Sequence, residues 1–212
     1  MRTSIATVCL SGTLGEKLQA AAAAGFDGVE LFEPDLVASP LSPADVRERA
    51  AELELTIDLY QPLRDFEAVP RAQLERNLRR AEAKLDVMEQ LGADTLLVCS
   101  NVSPDAIDDD ILAAAQLRAL AERAAERGIR IAYEALAWGR HVSEYDHAWR
   151  IVEAADHPAL GTCLDSFHVL SRGTDLAAIA PRSLPRESTW KLSRHVPSAG
   201  WSAASTIRHA CS

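Results

Sequence analysis

The amino-acid sequence predicts an α/β fold: an incomplete (β/α)8 barrel with about six βα units, followed by an irregular tail. The first observation is that short apolar runs alternate with longer segments in which apolar residues recur every three or four positions. The second is that glycines stand between helices and strands, with Gly92, Gly128 and Gly161 spaced by 36 and 33 residues. Strands and helices that alternate at this period form parallel βαβ units.

Each unit can be traced along the chain as a strand and the helix that follows it. The predicted strands cover residues 4–10, 28–32, 55–60, 95–99, 129–134 and 161–165. The predicted helices cover residues 14–24, 43–53, 71–91, 109–127 and 145–155. Ser42 and Pro43 are typical of a helix start, because a hydroxyl caps free amides and proline suits the first turn. The glycines that follow the helices are typical of helix ends, where the chain turns left-handed.

A change of composition after residue 180 predicts a domain boundary. We expect residues 1–180 to form the partial barrel, which would be the catalytic domain, and residues 181–212 to form an irregular tail. The tail holds five Lys/Arg and one acidic residue, and it lacks both strand alternation and a helical stripe. It is either aberrant, as after a shifted reading frame, or a genuine flexible extension. The rarity of open-edged barrels favours an aberrant tail on a C-terminally truncated barrel.

The composition indicates a globular chain, with 48% hydrophobic and 25% charged residues. A net charge of −9 disfavours nucleic acid and anionic membrane as partners. No apolar stretch approaches the roughly 18 residues of a membrane-spanning helix. The N-terminus lacks the apolar segment and cleavage site of a signal peptide, so we expect cytoplasmic localisation. The sequence leaves the oligomeric state open, a homo-oligomer included.

Two acids end neighbouring predicted strands, and a histidine follows the second. Glu134 ends strand five, Asp165 ends strand six, and His168 comes three residues later. Acids at the carboxyl ends of parallel strands lie where (β/α)8 barrels build their active sites. Two such charges 4 Å apart would repel by about 4 kcal/mol at an effective dielectric constant near 20, and a divalent cation would relieve this. The competing interpretation is that each acid caps a nearby helix.

The sequence then resembles a known family, in five segments that fall at strand ends and loops. These segments are Gly25–Leu31 (GFDGVEL), Asp58–Glu67 (DLYQPLRDFE), Tyr133-Glu134, Glu134–Arg140 (EALAWGR) and Cys163–His168 (CLDSFH). They resemble the xylose isomerase-like TIM barrels, the sugar phosphate isomerase/epimerase superfamily, and within it the bacterial 3-dehydroshikimate dehydratases. The likeness covers about residues 1–180. It implies a lyase that converts 3-dehydroshikimate into protocatechuate and water, as in the degradation of quinate and shikimate.

The resemblance also implies a division of roles among the candidate residues. Glu134 and Asp165 match the first two of four metal ligands, and oxygen donors suit Mg²⁺ or Mn²⁺. His168 matches the group that transfers a proton, which suits a side chain that titrates near neutral pH. The candidates for binding the substrate, a hydroxylated cyclic keto acid, are Tyr60, Arg64, Trp138, Arg140 and His141.

The substrate-binding candidates also have simpler interpretations. Arg64 and Arg140 could grip a carboxylate through a bidentate fork, or form surface ion pairs. Tyr60 and Trp138 could wall a pocket for a ring, or pack at the barrel rim. His141 could orient substrate or a ligand, or be an exposed loop residue.

Two other functions stay open from the sequence. The first is an aldose–ketose isomerase or epimerase of the same fold, since fold alone does not separate these reactions. The absence of a basic phosphate-binding loop in residues 1–180 favours the dehydratase over a sugar phosphate enzyme. The second is a non-catalytic fragment, because the family's remaining two ligands, a Gln and a Glu on strands seven and eight, have no counterpart in this chain.

Overall fold

The structure, a computed structural model, describes residues 2–173, in which six strands form one parallel sheet. The strands pair in chain order, each with the next. They are β1 (Ser4–Ala6), β2 (Gly28–Phe32), β3 (Thr56–Leu63), β4 (Thr95–Cys99), β5 (Arg130–Glu134) and β6 (Leu160–Cys163). This order of parallel strands with intervening helices confirms the predicted α/β fold of about six units.

Seven α-helices connect and follow these strands in the described part of the chain. They are α1 (Leu14–Ala23), α2 (Glu33–Ala38), α3 (Pro43–Glu52), α4 (Arg71–Leu91), α5 (Asp110–Ala125), α6 (Tyr145–Ala155) and α7 (Ser166–Ser171). The predicted start of α3 is confirmed, because the Ser42 side chain accepts a hydrogen bond from the Asp45 amide. The predicted end of α4 is confirmed as well: Gly92 takes the left-handed conformation, with φ of 70°.

The buried residues form two layers, one on each side of the sheet. The large outer layer lies between the sheet and helices and includes Leu85, Leu117 and Tyr133. The small inner layer holds Leu59, Leu97, Cys99, Leu136 and Cys163. The inner layer is the interior of the partial barrel, and the candidate acids lie where it ends.

Elements β1, β6, α2 and α7 differ from the prediction. Strand β1 ends at Ala6 and continues as a 3₁₀ helix, Thr7–Cys9, instead of running to residue 10. Helices α2 and α7 have six residues each, which is too short to produce a recognisable 3.6-residue stripe. Strand β6 ends at Cys163, so Asp165 lies just past it as the residue that begins α7.

Two further expectations concern the ends of what the structure describes. The predicted domain boundary at residue 180 and the predicted tail, residues 181–212, lie outside the described residues. Among residues 2–173, no helix has both the length and the apolar character required to cross a membrane.

Candidate metal centre at the mouth of the barrel

Glu134 lies between two cysteines because of the strand register. Cys99 at the end of β4 and Cys163 at the end of β6 are its neighbours across the sheet. The Cys99 thiol donates to one carboxylate oxygen of Glu134 at 3.5 Å, and the Cys163 thiol lies 3.9 Å from the other. All three side chains are buried. A thiol is a weak donor, so these contacts compensate only weakly for the lost hydration of the carboxylate.

The surroundings of Glu134 disfavour its charged form. Burial, followed by the negative charges of Asp165 and Glu30, raises the pKa of Glu134 to about 8. The Cys99 hydrogen bond and the positive charge of Arg64 act in the opposite direction but do not cancel this shift. A cation bound at this point would supply the missing compensation.

Asp165 has one oxygen engaged with the helix that it begins and the other on the side of His168. Oδ1 accepts a hydrogen bond from the Phe167 amide at 2.7 Å and caps α7. Oδ2 lies 3.9 Å from Nε2 of His168. The helix-capping interpretation is therefore correct for one oxygen of Asp165, and the cap fixes the direction in which the carboxylate faces the site.

His168 is buried against the loop that follows β5, residues 135–142, which we call the β5 loop. Its Nδ1 accepts a hydrogen bond from the Ala137 amide at 3.2 Å, and the Trp138 ring lies edge-on with centroids 4.8 Å apart. Burial lowers the pKa of His168, opposed by the charge of Asp165 and assisted by that of Arg64. Because Nδ1 accepts this hydrogen bond, the neutral ring carries its own proton on Nε2.

Glu134 and Asp165 offer two carboxylate ligands for one metal ion, and the imidazole of His168 lies beside them. One possible ligand atom from each of the three residues lies within 4.8 Å of the others. Carboxylate oxygens suit Mg²⁺ or Mn²⁺ better than a thiolate-seeking ion. The raised pKa of Glu134 and the convergence of the acids fit a site that holds a divalent cation.

Three of the predicted substrate-binding residues lie on loops around this group. Arg64, just after β3, acts on the pKa of both Glu134 and His168, which places its charge near them. Trp138 contacts the His168 ring while leaving 58% of its surface exposed. Arg140 is exposed on the same loop as Trp138, and its backbone amide donates to the carbonyl of Asn101 at 2.8 Å.

Tyr60 and His141 lie elsewhere. Tyr60 is buried in the outer layer, where its hydroxyl donates to Glu33 at 3.1 Å and the Lys84 ammonium lies over its ring. The expectation that Tyr60 walls the substrate pocket is corrected, because it lies on the outer face of the sheet. His141 turns towards the loop after β4, where Nε2 contacts the carbonyl of Ala106 at 3.0 Å.

Sequence reasoning missed several side chains around the site. The thiols of Cys99 and Cys163 were visible as strand ends level with Glu134, so register alone could have found them. Glu30 faces the barrel interior and receives a hydrogen bond from Gln61 at 3.4 Å. Glu67 is buried in the loop after β3. Nothing in the sequence indicated a role for it except that it lies in a segment that resembles the family.

Comparison with known proteins gives the family of this fold and site. Residues 18–196 match the family model described as a xylose isomerase-like TIM barrel. The chain belongs to the xylose isomerase-like TIM barrel family. Membership of this family, together with the six parallel strands, confirms the predicted barrel class.

A curated relative and two solved structures are similar to the chain. A 3-dehydroshikimate dehydratase of Pseudomonas putida is 57% identical over 87% of the chain. A xylose isomerase-like TIM barrel/4-hydroxyphenylpyruvate dioxygenase fusion protein is 58% identical over 84% of the chain and 29% of its own, with a TM-score of 0.83. The IolI protein, crystallised with a zinc atom, is 18% identical over 84% of the chain and 68% of its own; its TM-score of 0.74 supports the fold.

The match to the Pseudomonas relative is close but partial. The chain spans 29% of that protein's length. The resemblance that the sequence suggested to 3-dehydroshikimate dehydratases is thus confirmed for the part that the two share.

Proposed function

We propose that this chain is a metal-dependent 3-dehydroshikimate dehydratase whose catalytic domain comprises about residues 1–180. The observation that carries the proposal is 57% identity, over 87% of the chain, to a protein of that name. The convergence of Glu134, Asp165 and His168 at the barrel mouth supports it. The reaction removes the elements of water from 3-dehydroshikimate and leaves the aromatic acid protocatechuate.

Glu134 and Asp165 would hold the divalent cation, with Mg²⁺ or Mn²⁺ the best match to oxygen donors. A bound cation would draw electron density from a ketone oxygen of the substrate and so acidify the neighbouring C–H bond. The protein's part is to keep both carboxylates aimed at one point. The cap that Asp165 makes to α7 and the thiols beside Glu134 serve this purpose.

The substrate would be oriented by the two arginines and the tryptophan around the mouth. Arg64 and Arg140 can each pair with the substrate carboxylate through a guanidinium fork. Trp138, exposed over 58% of its surface beside His168, offers an apolar face for the ring. Bound in this way, the ring would have its reacting edge on the side of His168.

His168 would take the proton from the carbon next to the ketone. The hydroxyl on the following carbon then leaves as water, taking up the proton that His168 removed, and the shift of a remaining ring proton to the ketone oxygen makes the ring aromatic. In the present arrangement Nε2 carries a proton, because Nδ1 accepts from Ala137. Proton transfer to Nε2 therefore requires that the Ala137 amide leave Nδ1 when substrate binds, which is a movement within the β5 loop.

The proposal is tested by incubating the purified 212-residue chain with Mn²⁺ and 3-dehydroshikimate and following the aromatic product by ultraviolet absorbance. We expect product that requires the cation, and none with Glu134→Gln or Asp165→Asn. Circular dichroism of each variant shows whether the fold persists.

Two results would contradict the proposal, and they point to different functions. Isomerisation or epimerisation of sugars without dehydration would identify the isomerase alternative. Absence of any turnover by a folded, cation-binding chain would indicate a non-catalytic fragment.

A further inference from the structure

A buried carboxyl group, that of Glu67, joins the loops around the candidate site. Glu67 lies in the loop between β3 and α4 and is 1% exposed. Its Oε1 accepts two hydrogen bonds, one from the Asn101 amide at 2.7 Å and one from the Tyr133 hydroxyl at 2.9 Å. Its backbone carbonyl accepts a third from the Asn101 side-chain amide at 2.7 Å. Glu67 is therefore tied both to the loop after β4 and to strand β5.

The loop after β4 is in turn hydrogen-bonded to the β5 loop. The carbonyl of Asn101 accepts a hydrogen bond from the Arg140 amide at 2.8 Å. The hydroxyl of Ser100 accepts one from the Leu136 amide at 3.0 Å. Residues 136 and 140 bracket Trp138, so one end of the segment that carries this ring is anchored to Ser100 and the other to Asn101, the partner of Glu67.

The other oxygen of Glu67 has no hydrogen-bond partner among the described residues, although it is buried. An unsatisfied buried carboxylate oxygen is costly, and a purely structural position would be better filled by an amide or an apolar side chain. The fold nevertheless keeps a side chain whose single engaged oxygen serves two donors on two different elements.

We propose that Glu67 is a positioning residue for the candidate active site. Its carboxyl group holds the loop after β4 in position through Asn101. Asn101 in turn holds the backbone of Arg140 on the β5 loop. Because Glu67 follows Arg64 by three residues on one short loop, it also fixes the loop that carries that arginine. One side chain thus fixes the spacing of the two backbone positions that carry the arginines assigned to the substrate carboxylate, an assignment that rests on the proposed function.

The test compares Glu67→Ala with the isosteric Glu67→Gln, which keeps an acceptor oxygen for Asn101 and Tyr133. We expect Glu67→Ala to raise KM for 3-dehydroshikimate about tenfold or more, since small misplacements of binding groups weaken productive binding strongly. Glu67→Gln should restore KM to within about twofold of the parent, because the acceptor geometry is kept. Cation affinity should stay near the parent value in both variants.

Amide hydrogen exchange supplies a readout that does not depend on turnover. Exchange at residues 136 and 140 should accelerate in Glu67→Ala and stay slow in Glu67→Gln. Leu18→Ala, a fully buried position in α1, which packs against β2 and α3, serves as a control for general destabilisation and should leave both amides slow. If Glu67→Ala does not fold, Tyr133→Phe, which removes one of the two donors, takes its place in this measurement.

The outcomes separate the two proposals. Unchanged KM and unchanged exchange in a folded Glu67→Ala would overturn the positioning role, as would a Glu67→Gln that behaves like Glu67→Ala. Absence of turnover in the parent would overturn the proposed function alone, and the exchange measurement would still decide the role of Glu67.

Discussion

The ring of His168 meets a different neighbour at each nitrogen, and this determines what the residue can do. The Ala137 amide occupies Nδ1, while Nε2 lies 3.9 Å from Asp165. The Trp138 ring packs edge-on against the imidazole. In the proposed function, proton transfer would therefore be coupled to a main-chain contact of the loop that also carries Trp138 and Arg140. The proposed chemistry and the proposed binding of the substrate would depend on the same segment.

This coupling leads to a prediction for His168→Ala. The rate of dehydration should fall by about 10²- to 10⁴-fold, the usual contribution of a positioned acid or base. Cation affinity should change little, because the two carboxylates remain. Steady-state kinetics and calorimetric titration with Mn²⁺ measure the two effects. The control is His147→Ala on α6, whose ring contacts Asp110 and should be dispensable; a full rate in His168→Ala would remove the assigned role.

Glu67 provides a second prediction at the residue scale, in the pH dependence of stability. Burial, with the charge of Asp65 in the same direction, raises the pKa of Glu67 above its ordinary value of 4.5 against the hydrogen bonds that it accepts. A carboxyl whose folded-state pKa is raised contributes stability that is complete below its unfolded pKa and is lost as the pH rises through the folded value. The stability of Glu67→Gln, relative to the parent, should therefore increase from pH 4.5 upwards.

Urea unfolding of both proteins at several pH values between 4.5 and 7.5 measures this difference. The relevant quantity is the difference between the two free energies of unfolding, since other groups contribute equally to both. A difference that stays constant across this range, or that shrinks as the pH rises, would show that the surroundings of Glu67 do not raise its pKa.

At the scale of elements, the β5 loop depends on one close approach. A Cβ atom on Gly139 would lie 2.6 Å from the Ser100 hydroxyl oxygen and would overlap the carbonyl of Val142. The loop can therefore pack this tightly against the loop after β4 only because residue 139 has no side chain. The hydrogen bonds of Leu136 and Arg140 to that neighbouring loop depend on this packing.

Gly139→Ala should displace the β5 loop and raise KM for 3-dehydroshikimate, with a smaller effect on cation affinity. The matched control is Gly15→Ala in α1, where an added Cβ meets nothing within 4 Å. That variant should keep its KM and become more stable by about 0.5–1 kcal/mol, because alanine favours a helix over glycine. Kinetics and thermal unfolding distinguish the two; equal KM values would show that the close packing of the loop is not needed for binding.

The elements that sequence reasoning predicted are those with a long pattern. Alternating runs and helical stripes specified six strands and five longer helices, and glycines marked helix ends such as Gly92 and Gly128. The six-residue helices α2 and α7 were not predicted, because their apolar patterns are shorter than two turns. The early end of β1 depends on tertiary contacts, among them the Thr7 hydroxyl that accepts from the Phe32 amide at 3.0 Å.

For the candidate site, the position of acids at the carboxyl ends of parallel strands predicted that Glu134 and Asp165 meet. It did not predict to which face of the sheet each neighbouring side chain points. Tyr60 lies on the outer face because the register shifts in β3, where Ile57 pairs with Val29 but Leu59 pairs with Glu30. Because of this bulge, the side chain of Leu59 lies in the barrel interior and that of Tyr60 lies in the outer layer. A bulge has no signature in alternation alone, so the side of Tyr60 could not be predicted.

At the scale of the whole molecule, the sheet separates two kinds of environment. The outer layer is apolar and extensive, and it joins the helices to the strands. The inner layer is small, and acidic groups meet at its carboxyl end, where the charges of Asp165 and Glu30 add to burial in raising the pKa of Glu134. Like charges in a buried position oppose folding, so the stability of the entire chain is linked to whatever neutralises them.

A divalent cation should therefore stabilise the folded chain as a whole. A ligand that binds only the folded state adds about 2.7 kcal/mol when its concentration is 100 times its Kd, so Mn²⁺ should raise the Tm and a chelator should lower it again. Glu134→Gln should behave in the opposite way: a higher Tm than the parent without cation, because a buried carboxyl is removed, and no further rise with Mn²⁺. The surface variant Glu153→Gln on α6 controls for binding of the cation by exposed acids, which are numerous in a chain of net charge −9. Equal Mn²⁺-dependent increases in Tm for the parent and Glu134→Gln would mean that the cation binds elsewhere, and that the convergence of carboxylates at the barrel mouth does not form its site.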